Sequence, residues 1–170
     1  MTTRHAYIDT ELGGMLLVAH DNVLTGAYFE GQKYPPAADA IGDVVSIEED
    51  RLLAQAATEM RAYLAGERDS FDVPIAPQGD EFSQRVWQIL LRIPYGETVT
   101  YGAIADELGS KGLSQRVGQS VGHNPLSVIV PCHRVLGADG ALTGYAGGLD
   151  RKRALLTLEE PDAAEAGRLF

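Results

Sequence analysis

The stretch Thr100-Tyr101-Gly102-Ala103-Ile104-Ala105-Asp106-Glu107-Leu108-Gly109-Ser110-Lys111-Gly112-Leu113-Ser114-Gln115-Arg116-Val117-Gly118-Gln119-Ser120-Val121-Gly122 decides how the second half of this chain is built. The Thr100 hydroxyl can cap a short helix predicted over 101–108, because it can accept from a backbone amide of the first turn. Gly109 to Gly112 reads as a turn. A second helix is predicted over 114–121, and Gly122 to Pro125 breaks it. These are the proportions of a helix-turn-helix. Two helices joined by a tight turn also form ordinary core, so the pattern alone leaves both readings open. Small or polar residues line the second helix: Ser114, Gln115, Gly118, Gln119 and Ser120. They mark a face able to approach another surface closely. Arg116 is its only charge, placed to reach a phosphate or simply to stand in water.

Outward from that unit, Asp80 is predicted to cap a helix through Leu91 that turns Phe82, Val86, Ile89 and Leu90 inward. Phe71 to Gln78, with Pro74 and Pro77, is extended, and a lobe boundary is placed there, giving lobes 1–76 and 77–170. The first lobe alternates apolar and polar residues in short pieces around Ile8, Leu17 and Tyr28, with turn signals at Gly13-Gly14 and Asp21-Asn22. This predicts a small antiparallel meander. Residues 34–46 read as a connection. A helix is predicted from Glu48, with Leu52, Leu53, Ala56, Met60 and Leu64 at helical spacing and Gly66 as its stop. Downstream, Ser127 to Val130 reads as a buried extended run ended by Pro131. Asp150 is predicted to cap a last helix reaching Glu159, and the tail after Pro161 to fray. The expected fold class is α+β: a small antiparallel-sheet lobe with a helix, then a mostly helical lobe.

The chain has 170 residues, 45% of them hydrophobic, enough for a substantial core. A basic leader followed by an apolar stretch is absent from the first twenty residues, and no long apolar run occurs, so no signal peptide or membrane span is expected. A single cysteine allows no internal disulfide and no multi-cysteine metal site, and a reducing cytoplasm suits it. The net charge of −10 argues against wide electrostatic wrapping of nucleic acid. Residues 111–153 nevertheless carry six basic and two acidic side chains, so a small basic surface on an acidic body is expected, or else a solvated face.

That one cysteine, Cys132, stands in Pro131-Cys132-His133-Arg134. Free cysteine is often an inert core residue. A strand end beside a histidine is also where a nucleophile sits, and an imidazole could take the thiol proton directly or through water. Adjacent side chains on a strand diverge, so His133 needs a turn to serve.

Pro131-Cys132-His133-Arg134-Val135, preceded by Gly122-His123-Asn124-Pro125, resembles the signature of the O6-alkylguanine-DNA alkyltransferases (methylated-DNA–protein-cysteine methyltransferases). Phe82-Ser83-Gln84-Arg85-Val86-Trp87, Ile93-Pro94-Tyr95-Gly96-Glu97-Thr98, Tyr101-Gly102-Ala103-Ile104-Ala105 and Gly144-Tyr145-Ala146-Gly147-Gly148-Leu149 are similar to further family blocks, in family order. The resemblance implies a ribonuclease H-like first lobe and a winged-helix-like second. It implies direct reversal of O6-alkylguanine, and of O4-alkylthymine, in double-stranded DNA entered from the minor groove. The alkyl group would pass irreversibly to Cys132 after base flipping, with no cofactor and no obligate protein partner, in a monomer. Under it, His133 activates Cys132 through a water, Glu159 holds the histidine, Asn124 braces the segment between helix and cysteine, and Tyr101 donates toward the departing guanine. Val135, Tyr145, Ala146 and Gly147 frame the base. Thr100, Ser114, Gln115, Arg116, Gly118 and Arg134 meet DNA. The family commonly carries an arginine finger on the second helix; ungapped counting puts Gln115 there and Arg116 one residue later, about 100° around the helix. The family's cysteine-built N-terminal zinc site cannot exist here. Two other readings compete: a DNA-binding module without chemistry, against which Cys132 counts, and a cysteine hydrolase, for which no oxyanion hole is evident.

Overall fold

Three strands leave the N-terminus as the alternating pattern requires: β1 (Thr3–Thr10), β2 (Gly13–His20) and β3 (Val23–Phe29), successively antiparallel. They are seen in a computed structural model that describes residues 2–160. Ala6 pairs with Leu17 and Ile8 with Met15, so side chains two apart share one buried face. The register slips between Val18 and Ala19, which turns both Leu24 and Ala27 inward although they are an odd number of residues apart. A fourth strand, β4 (Asp43–Val44), pairs in parallel with β1, giving the order β3-β2-β1-β4. It lies inside the segment read as a plain connection; two exposed residues carry no periodicity to detect.

The helix α1 (Arg51–Leu64) covers the buried face with Leu53, Ala56, Met60 and Leu64. It starts at Arg51 and not at Glu48, because the Asp50 carboxylate accepts from the Leu53 amide at 3.0 Å and takes the cap. Glu48 lies in a separate 3-10 turn. The linker after α1 is tied to it by buried Glu59, whose carboxylate accepts from the amides of Asp72 and Val73 at 2.8 and 3.0 Å.

The second part follows its predicted helices closely: α2 (Glu81–Leu91) capped by Asp80, then β5 (Val99–Thr100), α3 (Tyr101–Glu107) capped by Thr100, and α4 (Ser114–Gly122). The indole of Trp87 donates to the Ser120 carbonyl at 2.8 Å and pins α2 to α4. After them β6 (Val135–Leu136) pairs in parallel with β5, and α5 (Leu149–Glu159) closes the described chain. The tail read as frayed lies outside the described residues.

Two expectations are corrected. Ser127–Val130 is not extended but a series of turns, with Val128 in the left-handed region at φ 75°. It is apolar because it is buried, not because it is a strand. Asp150 does not cap α5; Gly148, at φ 94°, precedes the helix, and Asp150 stands exposed in the first turn.

The two parts interlock. Leu24 of β3 pairs with Ile75 of the linker, and Ala27 of β3 with Leu126 after α4. The Ala27 amide donates to Pro125 and its carbonyl accepts from Ser127, at 2.8 and 2.9 Å. An edge that would stand open is thereby covered by the segment leading to Cys132. One buried apolar cluster runs through both parts.

Loss of the α1 cap should be felt globally. Asp50→Ala removes it together with the 2.6 Å ion pair to Arg4, and should lower unfolding stability by about 1–2 kcal/mol in urea. Asp150→Ala, which removes no cap, should stay within about 0.5 kcal/mol.

Candidate active site

Cys132 lies in a 3-10 turn, Cys132–Arg134, that follows directly on the turn series. Asn124 organises that series from within. Its side-chain amide donates to the carbonyls of Leu126 and Val130 at 3.3 and 2.8 Å and to Cys132 Sγ at 3.2 Å, while its oxygen accepts from the Leu126 amide. The resemblance gave Asn124 a bracing part between helix and cysteine; the bond to sulfur is additional to that, and it favours the thiolate.

The thiol is 3% exposed, and burial pushes its pKa up to about 11, against the Asn124 hydrogen bond and the Lys152 charge, which pull it down. The thiol is then overwhelmingly protonated at neutral pH. A nucleophile so placed depends on a base.

His133, fully buried, supplies one through the turn. Its Nε2 meets Glu159 Oε2 at 2.7 Å, and its Nδ1 has no hydrogen-bond partner among the described residues. A neutral imidazole facing a carboxylate carries its proton on Nε2, which leaves the Nδ1 lone pair free to accept one. Burial lowers the His133 pKa, opposed by Glu159. Burial by itself would raise the Glu159 pKa, but hydrogen bonds from His133, Arg134 and Tyr63 bring it down to about 2. The carboxylate thus stays ionised and the imidazole neutral at ordinary pH.

Arg134 was expected at DNA and is instead buried. Its Nε donates to Glu159 Oε1 at 2.7 Å, and its guanidinium also reaches the Ile93 carbonyl and the Tyr63 hydroxyl. The basic surface expected over 111–153 is depleted in the same way. Lys152 is fully buried and donates to the carbonyls of Val135, Thr143 and Gly144 at 2.6, 2.9 and 3.0 Å. Arg151 spends its guanidinium on the carbonyls of Leu12, Glu30 and Gly147. Burial draws the Lys152 pKa down to about 8, against the pull of Cys132. This lysine was missed because it sits in the run Asp150-Arg151-Lys152-Arg153, which reads as solvated. The available signal was its spacing: Lys152, Leu155 and Glu159 fall on one face of α5, and all three are buried.

A cavity of about 650 Å³ opens beside the thiol. Tyr101, Gln115 and Gly118 form one wall, Tyr145, Ala146 and Gly147 another, and Lys33 and Tyr34 of the N-terminal part a third. Cys132 is not itself in the wall. Two of the wall residues, Tyr101 and Tyr145, are near enough to feel its charge. The Tyr101 hydroxyl makes a long contact, 3.4 Å, to the Thr143 carbonyl, and burial raises its pKa so that it remains a donor. Lys33 and Tyr34 had no sequence signal; the Lys33 amide donates to Ala146, and Tyr34 stacks on His123 at 3.8 Å between ring centroids. Val135 is buried, its carbonyl already taken by Lys152.

On α4, Gln115 faces the cavity. Arg116 is turned away, its guanidinium 4.0 Å from the centre of the Phe82 ring. The one-residue offset seen in the sequence is therefore a real change of direction. Thr100 and Ser114 serve locally, Thr100 accepting from the Ala103 amide and Ser114 donating to the Lys111 carbonyl. Among the described residues no group of three or more His, Cys, Asp or Glu side chains could hold a metal, and no helix is long and apolar enough to cross a membrane.

Two family models match: the ribonuclease-like domain of 6-O-methylguanine DNA methyltransferase over residues 3–77, and its DNA binding domain over residues 81–161. A methylated-DNA–protein-cysteine methyltransferase of Mycobacterium tuberculosis is 45% identical over 163 residues, 96% of each chain. One of Methanosarcina acetivorans is 44% identical over 156 residues, 91% of this chain and 97% of its own. The crystal structure of the M. tuberculosis protein in complex with DNA superposes with a TM-score of 0.82 at 43% identity, covering 92% of each chain. The chain belongs to the methylated-DNA–protein-cysteine methyltransferase family.

Proposed function

We propose that this protein repairs O6-alkylguanine in double-stranded DNA by moving the alkyl group onto Cys132, once per molecule. The observation that carries this reading is the chain Cys132, His133, Glu159: a buried thiol, an imidazole with a free Nδ1, and an ionised carboxylate on Nε2. His133 Nδ1 takes the thiol proton through a water. Sulfur then attacks the alkyl carbon, the S–C bond forms, and the C–O6 bond breaks with its electron pair going to guanine. Tyr101 donates toward the departing base, and the proton lost by sulfur balances the one the restored guanine requires. The product is a thioether, which water does not cleave at neutral pH, so the protein is consumed.

The alkyl carbon lies on the pairing edge of the base and cannot reach a buried thiol from within a stacked duplex. The base must turn out into the cavity, at a cost of a few kcal/mol that is smaller when the lesion already weakens pairing. The small residues of α4 suit close approach through the minor groove, with Gln115 at the gap the base leaves. A monomer in the cytoplasm, needing no cofactor, fits this reading.

Cys132→Ser should bind alkylated duplex yet accept no labelled alkyl group, and intact-mass spectra of the unsubstituted protein with excess substrate should settle at one adduct per chain. Continued turnover without an adduct would contradict the proposal. Gln115→Ala should weaken duplex binding about tenfold and leave transfer from free alkylguanine unchanged, with Arg116→Ala the milder of the two. Lys111 and Arg116 are the exposed lysine and arginine on the α3–α4 unit. The logarithm of duplex affinity should accordingly fall against log salt with a slope of about −2; a slope steeper than about −4 would place the contact elsewhere.

A further inference from the structure

Glu159 is the meeting point of three donors, and one of them comes from the N-terminal part of the chain. The Tyr63 hydroxyl, on α1 and 96 residues away in sequence, donates to Oε2, the same oxygen that His133 Nε2 uses. Arg134 also donates to that oxygen, at 3.2 Å, and to the Tyr63 hydroxyl at 2.9 Å. The tyrosine is thus polarised by a cation while it donates to the carboxylate, which strengthens it as a donor. Its ring is held between Phe71, stacked at 5.0 Å, and Tyr95, edge-on at 5.9 Å. Its place therefore does not depend on the hydroxyl.

We propose that Tyr63 is a positioning residue for alkyl transfer: by sharing the Glu159 oxygen with His133, it restrains the carboxylate's pull on the imidazole and keeps Nδ1 free to take the thiol proton. A carboxylate with fewer donors is a stronger base. Without the hydroxyl, Glu159 would stabilise imidazolium more, and an imidazolium already carries a proton on Nδ1. The N-terminal part then contributes to the chemistry and not only to the fold. The inference rests on His133 and Glu159 handling the proton as proposed above.

The other charges around the pair set the background. His133 is faced by Glu159, Arg134 and Lys152, which act on it in opposite directions. Tyr95 and Tyr145 both feel the Glu159 charge, and Asp69 acts on Tyr95 from the linker. Cys132 stands beside Lys152. None of these except Tyr63 and Arg134 shares the Glu159 oxygen with His133.

The test is Tyr63→Phe, which keeps both ring contacts. The rate of Cys132 alkylation is followed by intact mass across pH 5 to 9 for the unsubstituted protein and the variant, with thermal melting alongside. The midpoint of the acid limb should move up by about half to one pH unit, because imidazolium persists to higher pH, while the rate recovers toward that of the unsubstituted protein on the alkaline side. In a Glu159→Gln background the same substitution should leave the limb unmoved. A lowered melting temperature with an unshifted limb would make Tyr63 purely structural and overturn the proposal, as would an equal shift in the Glu159→Gln background. Should Glu159→Gln not fold, the single variant still decides. Absence of any adduct on the unsubstituted protein would instead defeat the alkyl-transfer reading itself.

Discussion

The carboxylate of Glu159 is the point on which the rest of this structure depends. It is 2% exposed, and a charge so placed is tolerated only when donors replace the water it has lost. Its donors are Tyr63 of α1 and both His133 and Arg134 of the turn that carries the cysteine. Satisfying one anion therefore ties α1, that turn and its own helix α5 into a fixed relation. Loss of Arg134, the cation among them, would strand a buried charge, which costs far more than the loss of an ordinary hydrogen bond. The turn holding Cys132 is consequently rigid where a lone 3-10 turn would not be.

Lys152 repeats this logic with the opposite sign. Among the described residues its ammonium has no carboxylate partner; it is held by three carbonyls from β6 and from the loop that walls the cavity. Its positive charge acts on the Cys132 thiol and favours sulfur as an anion once a proton acceptor is at hand. The cost of this arrangement is borne at the surface. Arg134, Arg151 and Lys152 are occupied within the molecule, so an acidic protein meets an acidic polymer with few free cations, and shape and close approach must carry more of the recognition.

Much of this was legible from residues alone where local chemistry decides local form. Asp80 and Thr100 announced their helices because a cap is a one-residue device whose partner lies three residues on. Ser127–Val130 misled because apolar residues signal burial without saying what shape the backbone takes. Only the Asn124 side chain, hydrogen-bonded to Leu126 and Val130, explains the turns. Cys132 and His133 were readable as neighbours, and their family blocks supplied Glu159. Tyr63 and Lys152 were not readable. Tyr63 looks like one more apolar position of α1, and Lys152 like one more surface charge; the distance from Tyr63 to Glu159 in sequence is bridged only by tertiary packing. Arg134 failed for the same reason, since a basic residue next to a reactive cysteine looks like a phosphate ligand until its partners are seen.

The deep burial of Cys132 has a consequence of another kind. On the reading proposed here, the thiol is a reagent used once, and most of its existence is spent waiting. Oxidants and soluble disulfides attack thiolates that they can reach, and the same low ionisation and closed packing that slow its own chemistry withhold both conditions. Such a group ages slowly. Its shelf life, as much as its speed, follows from that burial, and a variant that opened the packing around the thiol to hasten reaction would hold a larger fraction of dead protein before any lesion arrived.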